Sequence, residues 1–181
     1  MMSKQPNKPL WWIAGAAAMA ALVLLILWAV FSRQSVIEIR VAGDTKADSL
    51  LCYFVEPDFQ LRWIHSVEKQ WWEEQYLREA EGLLLTNTYF QAFGAGTPST
   101  ENVAPIKKDG YVGYQINQRF PHLNWVVSRL TQGEIDYAGQ RILIHQWVPD
   151  YSEVTITPKA YSLIDRFNKD FCHELPSDGS Q

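Results

Sequence analysis

The polar segment between Trp63 and Tyr76 holds the densest group of residues that could do chemistry. It contains an adjacent histidine and serine, His65 and Ser66. A serine nucleophile needs a base within hydrogen-bond reach, but adjacent residues on a strand point to opposite faces. The sequence also has no Gly-x-Ser-x-Gly elbow. These observations argue against a serine hydrolase.

A metal site is the second chemistry that these residue types suggest. The candidate ligands are the histidines and the nearby glutamates: His65, His122, His145, Glu68, Glu73 and Glu74. Their spacing follows no known ligand pattern, since the sequence has no His-x-x-x-His, no Cys-x-x-Cys and no Asp-rich calcium loop. We therefore expect no metal and no cofactor, and a metal-dependent hydrolase stays a minor alternative.

Two adjacent glutamates, Glu73 and Glu74, pose a burial problem. On a straight strand Glu74 shares a face with Trp72 and Tyr76, and Glu73 lies on the other face. One carboxylate is therefore placed among aromatic side chains whichever face is buried, and it needs a cation or hydrogen-bond donors there. Two interpretations stay open: a structural ion pair, or a polar patch that contacts a partner or ligand.

A glycine-rich stretch, Phe-Gly-Ala-Gly-Thr-Pro, occupies residues 93–98. A phosphate-binding loop would need a third glycine and a following helix, and the sequence offers neither. Gly94 and Gly96 permit positive φ in a tight turn, and Pro98 fixes the exit from it. The same open backbone could admit a partner segment close to the main chain, so both interpretations remain.

A long apolar segment precedes all of these residues. Leu10 to Phe31 comprises 22 residues without a charge; at about 1.5 Å per residue, a helix of that length spans about 33 Å, close to the thickness of a bilayer core. Trp11, Trp12 and Trp28 lie near its ends, where indoles favour the headgroup boundary. The run is too long and ends too bulkily for a cleaved signal peptide, so it predicts an uncleaved single-pass helix.

The charge distribution separates this anchor from the rest of the chain. The 149 residues from Arg33 onward carry 14 basic and 20 acidic residues, a net charge of −6. That balance excludes a basic nucleic-acid binder and leaves membrane attachment to the helix. We expect a cytoplasmic tail at 1–9, the transmembrane helix at 10–31, one periplasmic domain at 33–175 and a disordered tail at 176–181.

After Arg33 the apolar period becomes two, which is typical of strands. In the first run Ile37, Ile39 and Val41 share one side, and Glu38 lies on the other. The pattern predicts a mainly β domain, an antiparallel sandwich or barrel-like fold, with irregular stretches at 94–110 and 117–124. The predicted strands are 36–41, 50–55, 59–66, 71–80, 83–93, 111–116, 125–130, 141–148 and 153–157.

One amphipathic helix is predicted near the C-terminus. Thr157 and Pro158 offer an N-cap and a proline at the first helical position. The apolar residues that follow fall on one stripe of such a helix: Tyr161, Ile164, Phe167 and Phe171. We expect it to cover one end or face of the sheet.

The two cysteines leave their pairing open. Cys52 lies in a predicted strand, and Cys172 lies near the C-terminus. They could form one disulfide in an oxidising compartment. Two buried free thiols would satisfy the sequence equally well.

The anchor, the His-Ser-Val-Glu-Lys segment at 65–69 and the Phe-Gln-Ala-Phe-Gly-Ala-Gly-Thr-Pro segment at 90–98 together resemble a small uncharacterised bacterial family. This is a domain of unknown function whose genes tend to lie beside TAXI-type TRAP transporters, and the resemblance is clearest from about 59 to 99. Its signature positions map onto His65, Ser66, Glu74, Gly94, Gly96 and Pro98. The resemblance brings no established activity and implies an extracytoplasmic domain that works with a solute-uptake system.

The leading hypothesis is a non-enzymatic, single-pass inner-membrane accessory of a TRAP transporter. Its expected partners are the transporter membrane subunits or the substrate-binding protein, besides the lipid bilayer around the helix, and no nucleic acid. The expected contact residues are His65, Ser66, Lys69, Glu74, Gly94, Gly96 and Pro98.

The alternative hypothesis is a periplasmic small-molecule-binding module. Aromatic side chains provide contact area in such a pocket, and one charged group orients the ligand. Glu74 or Lys69 would be that group. The expected lining residues are Trp63, Trp71, Trp72 and Tyr76.

Overall fold

The computed structural model describes residues 10–42, 50–98 and 103–172, and within them it consists of a long N-terminal helix and a β-rich domain. The predicted mainly β class is confirmed. The helices are α1 (Leu10–Phe31), α2 (Ile144–Trp147) and α3 (Leu163–Phe167). The strands are β1 (Gln34–Ala42), β2 (Leu50–Phe54), β3 (Asp58–Ile64), β4 (Trp71–Arg78), β5 (Leu83–Phe90), β6 (Ala104–Lys108), β7 (Tyr111–Phe120), β8 (Leu123–Val126), β9 (Glu134–Tyr137), β10 (Gln140–Ile142), β11 (Glu153–Tyr161) and β12 (Asp170–Phe171).

The strands form two sheets. The first has five strands in the order β12-β2-β1-β11-β8, and the second has seven in the order β10-β9-β3-β4-β5-β7-β6. Every described pairing is antiparallel except that of β12 with β2. The hairpin predicted around Glu81 and Gly82 joins β4 to β5.

A single large apolar core joins the inner faces of the two sheets. Strand β1 contributes Ile37, Ile39 and Val41, as the alternation of the sequence predicts, and β3 contributes Phe59 and Leu61 from the opposite sheet. Sheets that share a core in this way form a sandwich. Of the two predicted alternatives, the separate sheets correspond to the sandwich and not to a barrel.

Helix α1 carries the residues predicted to anchor the chain. It is apolar throughout, and Trp12 and Trp28 are exposed along it. Its length and composition are sufficient to cross a membrane. The side chain of Trp11 and the tail at 1–9 lie outside the described part of the chain, as do residues 173–181.

Three sequence predictions of local structure were wrong. The strand predicted at 141–148 is β10 followed by the short helix α2; Ile144 at its start and Val148 directly after it are both buried, four residues apart. The stretch predicted as irregular at 94–110 contains β6, and β7 runs through 117–120, where Phe120 pairs with Leu83. Sheet pairing therefore overrides local patterns that were too polar to indicate a strand.

The predicted C-terminal amphipathic helix is not confirmed. Thr157, Pro158 and Tyr161 belong to β11, and only α3 follows, begun by Ser162 in a capping box with Asp165. Pro158 is tolerated because β8 pairs with β11 only over 153–156, which leaves one side of β11 open at the proline. The helix therefore starts five residues later than predicted.

Of the two alternatives for the cysteines, a disulfide or two free thiols, the structure contains the disulfide. Cys52 of β2 and Cys172 are bonded, and both are buried. Strand β12, directly before Cys172, pairs in parallel with β2, with Asp170 opposite Cys52 and Phe171 opposite Tyr53. This bond fastens the end of the described chain to the five-stranded sheet.

Candidate functional site

The hairpin between β3 and β4 carries most of the predicted site residues. Strand β3 ends at Ile64, and residues 65–70 form a turn in which His65 N–H donates to the Gln70 carbonyl at 2.8 Å. Lys69 donates back to the His65 carbonyl at 2.9 Å and has φ of 56°. The strand predicted to reach Ser66 is thus two residues shorter. The opposite-face argument therefore does not apply to His65 and Ser66, because neither lies in a strand.

His65 is fixed by two contacts. Its Nδ1 accepts a hydrogen bond from the Glu68 backbone N–H at 3.3 Å, and its ring stacks on Trp72 with centroids 5.4 Å apart. A neutral imidazole whose Nδ1 accepts carries its proton on Nε2. In this arrangement neither ring nitrogen is a free base for the hydroxyl of Ser66.

The glycine-rich stretch folds against this turn. The Glu68 carboxylate accepts a hydrogen bond from Ala95 N–H at 3.3 Å. A Cβ on Gly94 would come within 1.9 Å of Glu68 Oε1, so the missing side chain makes room for this contact. Gly96 has φ of +81°, as predicted for a tight turn, and Thr97 donates its hydroxyl to the Gly94 carbonyl at 2.9 Å. Glu68 was not among the predicted contact residues.

A recess of about 350 Å³, which we call the hairpin recess, opens between the turn and the glycine-rich stretch. Four predicted site residues meet there: His65, Ser66, Glu74 and Gly96. The remaining lining residues are Trp63, Trp72, Ala95 and Thr131. The predicted residues Lys69, Gly94 and Pro98 do not line it; Lys69 is exposed in the turn.

A second cavity of about 310 Å³, the inner cleft, lies between the β3–β4 hairpin and the edge strand β8. It shares Trp63, Glu74 and Thr131 with the hairpin recess, so the two cavities meet at Glu74. Its other lining residues are Leu61, Arg62, Tyr76, Leu123, Asn124, Trp125, Val126, Gly133 and Glu134. The wall from β8 was not predicted, because nothing local in the sequence indicates that β8 lies opposite β4.

Glu74 is the titratable group at the junction. Its carboxylate accepts a hydrogen bond from the Tyr76 hydroxyl at 2.5 Å. Burial raises the pKa of Glu74 above its ordinary value, and this outweighs the lowering by hydrogen bonds from Tyr76 and Trp72. Within the described ranges Glu74 takes part in no salt bridge. The inner face therefore holds a partly buried carboxyl group that forms no ion pair with any described residue.

Glu73 shows the opposite arrangement on the outer face of the same strand. It is 4% exposed and forms ion pairs with Lys108 and with Arg62, whose Nε lies 3.4 Å from Glu73 Oε1. Arg62 also lies 3.8 Å from the centre of the Trp71 ring, and its Nη1 lies 3.9 Å from Glu134. The structural ion pair considered for this segment therefore belongs to Glu73, and Trp71 lies with it on the outer face.

The histidines considered as metal ligands are not brought together. His122 is exposed after β7, and His145 lies in α2 with its Nδ1 3.3 Å from the Gly133 carbonyl. The described part of the chain contains no group of three or more His, Cys, Asp or Glu residues that could hold a metal ion.

The molecule is thus a β-sandwich that follows a membrane-length apolar helix and carries two cavities that meet at the partly buried carboxyl group of Glu74. Residues 59–144 match the family model described as Domain of unknown function (DUF1850). The match covers slightly less than half of the chain, includes the whole hairpin recess, and supports a domain-of-unknown-function family, as the resemblance implied. No curated protein and no solved structure matches the chain.

Proposed function

We propose that the protein is a non-enzymatic, membrane-anchored accessory component of a TAXI-type TRAP transporter. Its hairpin recess would contact a membrane subunit of the transporter or its substrate-binding protein. One observation carries this proposal: residues from the two sequence segments that give the family resemblance meet at one surface recess, His65, Ser66 and Glu74 from the first segment and Gly96 from the second.

The proposed location is the bacterial inner membrane, with the N-terminus in the cytoplasm and the sandwich in the periplasm. Helix α1 would cross the bilayer and hold the domain beside the transporter, which raises its local concentration there. The bond between Cys52 and Cys172 supports an oxidising compartment for the domain.

The rim of the hairpin recess has the character of a protein-binding surface. Val67 in the turn is 66% exposed, and Phe93 beside the glycine-rich stretch is 60% exposed. Exposed apolar side chains around a polar recess are typical of sites for protein partners. Phe93 is also held in place by Phe90, with ring centroids 5.4 Å apart, so its position is defined before any partner binds.

Capture of the full chain from membranes in mild detergent tests the proposal. We expect TRAP subunits to be captured with the wild type and to be lost with Ser66→Trp, because the indole would fill the recess. Gln118→Trp is the matched control. Gln118 is also exposed, and it lies in β7 opposite Leu85, six residues along the strand from Val112, which pairs with Phe90. It is not among the residues that line the recess. This substitution should leave the capture unchanged.

The proposal fails if no transporter subunit is captured with the wild type and solute uptake is unchanged in a deletion strain. If both tryptophan variants retain the captured subunits, the transporter contact lies elsewhere on the domain, and the hairpin recess is not the contact surface.

A small-molecule-binding module is the second candidate, and the inner cleft favours it. Its volume of about 310 Å³ lies at the lower end of the range for ligand pockets, roughly 300–1,000 Å³. Trp63 and Trp125 are among its lining residues, and no described residue forms an ion pair with Glu74. Arg62 and Glu134 also line the cleft and are paired with each other at 3.9 Å. Aromatic walls beside the carboxyl group of Glu74 suit an ammonium group, so an amine-bearing solute is the expected ligand class.

Tryptophan fluorescence titration decides this candidate. We expect amino acids and simple amines to change the emission of the wild type, and Glu74→Gln to abolish the response while keeping the shape of the cleft. Organic acids without an amine serve as the comparison. Flat titrations with every amine would remove the second candidate and leave the first untouched.

A further inference from the structure

The connection between α1 and the sandwich is very short. Helix α1 ends at Phe31 and β1 begins at Gln34, so only Ser32 and Arg33 lie between them. Two residues span at most about 7 Å. Both linking residues are also held: Ser32 N–H donates to the Trp28 carbonyl at 2.8 Å, and Arg33 donates to the Ala160 carbonyl at 3.3 Å. The end of the sheet that holds Gln34 therefore lies next to the end of the anchor.

Helix α3 lies at this same end of the domain and contacts α1. It is fixed to the sheet because Arg166 hydrogen-bonds to the Gln34 side chain and its carbonyl accepts from the Tyr53 hydroxyl at 3.3 Å. Two of its apolar side chains point away from the domain: Ile164 is 56% exposed and Phe167 is 81% exposed. Phe31, the last residue of α1, is 76% exposed.

The charges around α3 differ in sign from those of the domain as a whole. Four cationic and three acidic residues lie on or beside this end: Arg33, Lys159, Arg166 and Lys169, against Glu38, Asp165 and Asp170. Lys169 is paired with Glu38, whose Oε2 lies 3.5 Å from the Lys169 Nζ. The Asp165 carboxylate accepts a hydrogen bond from the Ser162 backbone N–H in the helix cap, and the Asp165 N–H donates to the Ser162 hydroxyl. Basic side chains around an apolar face are what a surface needs to lie on lipid headgroups.

We propose that α3 rests on the outer surface of the bilayer, with Ile164 and Phe167 in the boundary between headgroups and acyl chains. This inference rests on the proposed crossing of the membrane by α1. The lipid surface is favoured over a protein partner because a bilayer around α1 would already reach the adjacent end of the domain, without a further binding event.

This contact would set the direction in which the inner cleft faces. Tyr161 ends β11 beside α3, whereas β8 pairs with β11 at Glu153 to Ile156. Tyr161 is five residues from Ile156 and eight from Glu153, a separation of roughly 17–26 Å along the strand. The β8 wall of the inner cleft would then lie at the end of the sandwich away from the membrane, within reach of a soluble periplasmic partner.

Site-directed spin labelling of the full chain in liposomes of phosphatidylcholine and phosphatidylglycerol tests the inference. A single cysteine is introduced and labelled without reductant, since Cys52 and Cys172 are bonded to each other. Phe167→Cys is the test position. Tyr151→Cys is the matched control, because Tyr151 is 87% exposed and precedes β11 at the far end, and Ala21→Cys reports the centre of α1.

We expect the ratio of collisions with oxygen to collisions with a water-soluble nickel chelate to be several-fold higher at 167 than at 151, and highest at 21. A low ratio at 167 with a high ratio at 21 overturns the surface contact and leaves the anchor intact. A low ratio at 167 and at 21 overturns the membrane crossing and this inference with it. A label at 167 that neither reagent reaches indicates contact with a second copy of the chain and also overturns the lipid contact.

Discussion

Glu73 and Glu74 are neighbours in one strand, yet their surroundings differ in almost every respect. Glu73 lies on the outer face of the seven-stranded sheet, where Arg62 and Lys108 neutralise it. Glu74 lies on the inner face, where Tyr76 donates a hydrogen bond and where its pKa is raised by burial. The alternation of strand side chains places the two carboxylates on opposite faces, and the neighbouring strands supply the cations of Glu73, Arg62 from β3 and Lys108 from β6.

The difference teaches how to separate a structural charge from a candidate binding group. A carboxylate with two cations has its charge neutralised by the protein, so its removal would leave those cations unpaired, and it offers little to a ligand. A partly buried carboxyl group without a cation loses hydration and gains no ion pair in return, and carboxyl groups with a pKa shifted in this way are concentrated at functional sites. Glu74 is of the second kind and lies where both cavities meet.

The largest predicted effect comes from Glu73→Ala. It leaves Arg62 and Lys108 without their shared carboxylate in a largely buried position, and we expect the free energy of unfolding to fall by about 2–3 kcal/mol. Urea denaturation measures the loss. Glu81→Ala, in the exposed turn before β5, should change the free energy by less than about 0.5 kcal/mol. Equal effects of the two substitutions would contradict the structural role of Glu73.

A smaller change, opposite in sign, is expected for Glu74→Gln at neutral pH. Because the folded pKa of Glu74 is raised, the folded state binds the proton more tightly than the unfolded state does. The contribution of Glu74 to stability therefore declines as pH rises from its ordinary value, near 4.5, through the folded pKa. Glutamine removes this dependence and should stabilise the protein above that range.

Denaturation of the wild type and of Glu74→Gln across the same pH range isolates this effect, since every other titrating group is common to both proteins. The free energy of unfolding of the variant minus that of the wild type should grow with pH. A difference that stays constant with pH would show that Glu74 has an ordinary pKa and that its surroundings do not disfavour the charged form.

Tyr76→Phe tests the hydrogen bond that Glu74 accepts from Tyr76. It deletes the hydroxyl that donates to Glu74, and the expected cost is about 1 kcal/mol of stability. Because that hydrogen bond lowers the pKa of Glu74, its loss should raise the pKa further. Carboxyl carbon NMR titration measures the shift; a lower pKa in the variant would contradict the arrangement around Glu74.

The smallest effect is expected for Gly94→Ala. The added methyl group meets the far end of the flexible Glu68 side chain, which can move away into solvent. The loss of the exposed hydrogen bond to Ala95 should cost about 0.5 kcal/mol. A loss of several times that size in thermal denaturation would show that Glu68 holds the glycine-rich stretch much more strongly than an exposed contact does.

The candidate site was predicted from sequence only in part. His65, Ser66, Glu74 and Gly96 were identified because unusual residue types occur together, and the structure places them around one recess. Glu68 was missed as a contact residue, although it lies in the same segment, because nothing in the sequence shows that its side chain reaches Ala95. Whether these residues bind a partner stays a prediction.

The sequence by itself determined the features that depend on local chemistry. An uncharged run of 22 residues is long enough for a membrane, and alternation places Ile37 and Ile39 in the core. The same alternation divides Glu73 from Glu74. These outcomes need only the periods of helix and strand, which neighbouring residues carry.

Only the tertiary structure decided the features that join distant segments. It set β8 beside the β3–β4 hairpin and so created the inner cleft, and it paired Cys52 with Cys172 across 120 residues. It also kept Pro158 in a strand, because β1 pairs along one side of β11 and nothing in β8 reaches the proline. Such choices depend on which surfaces meet when the sheets close, and local sequence carries no record of that.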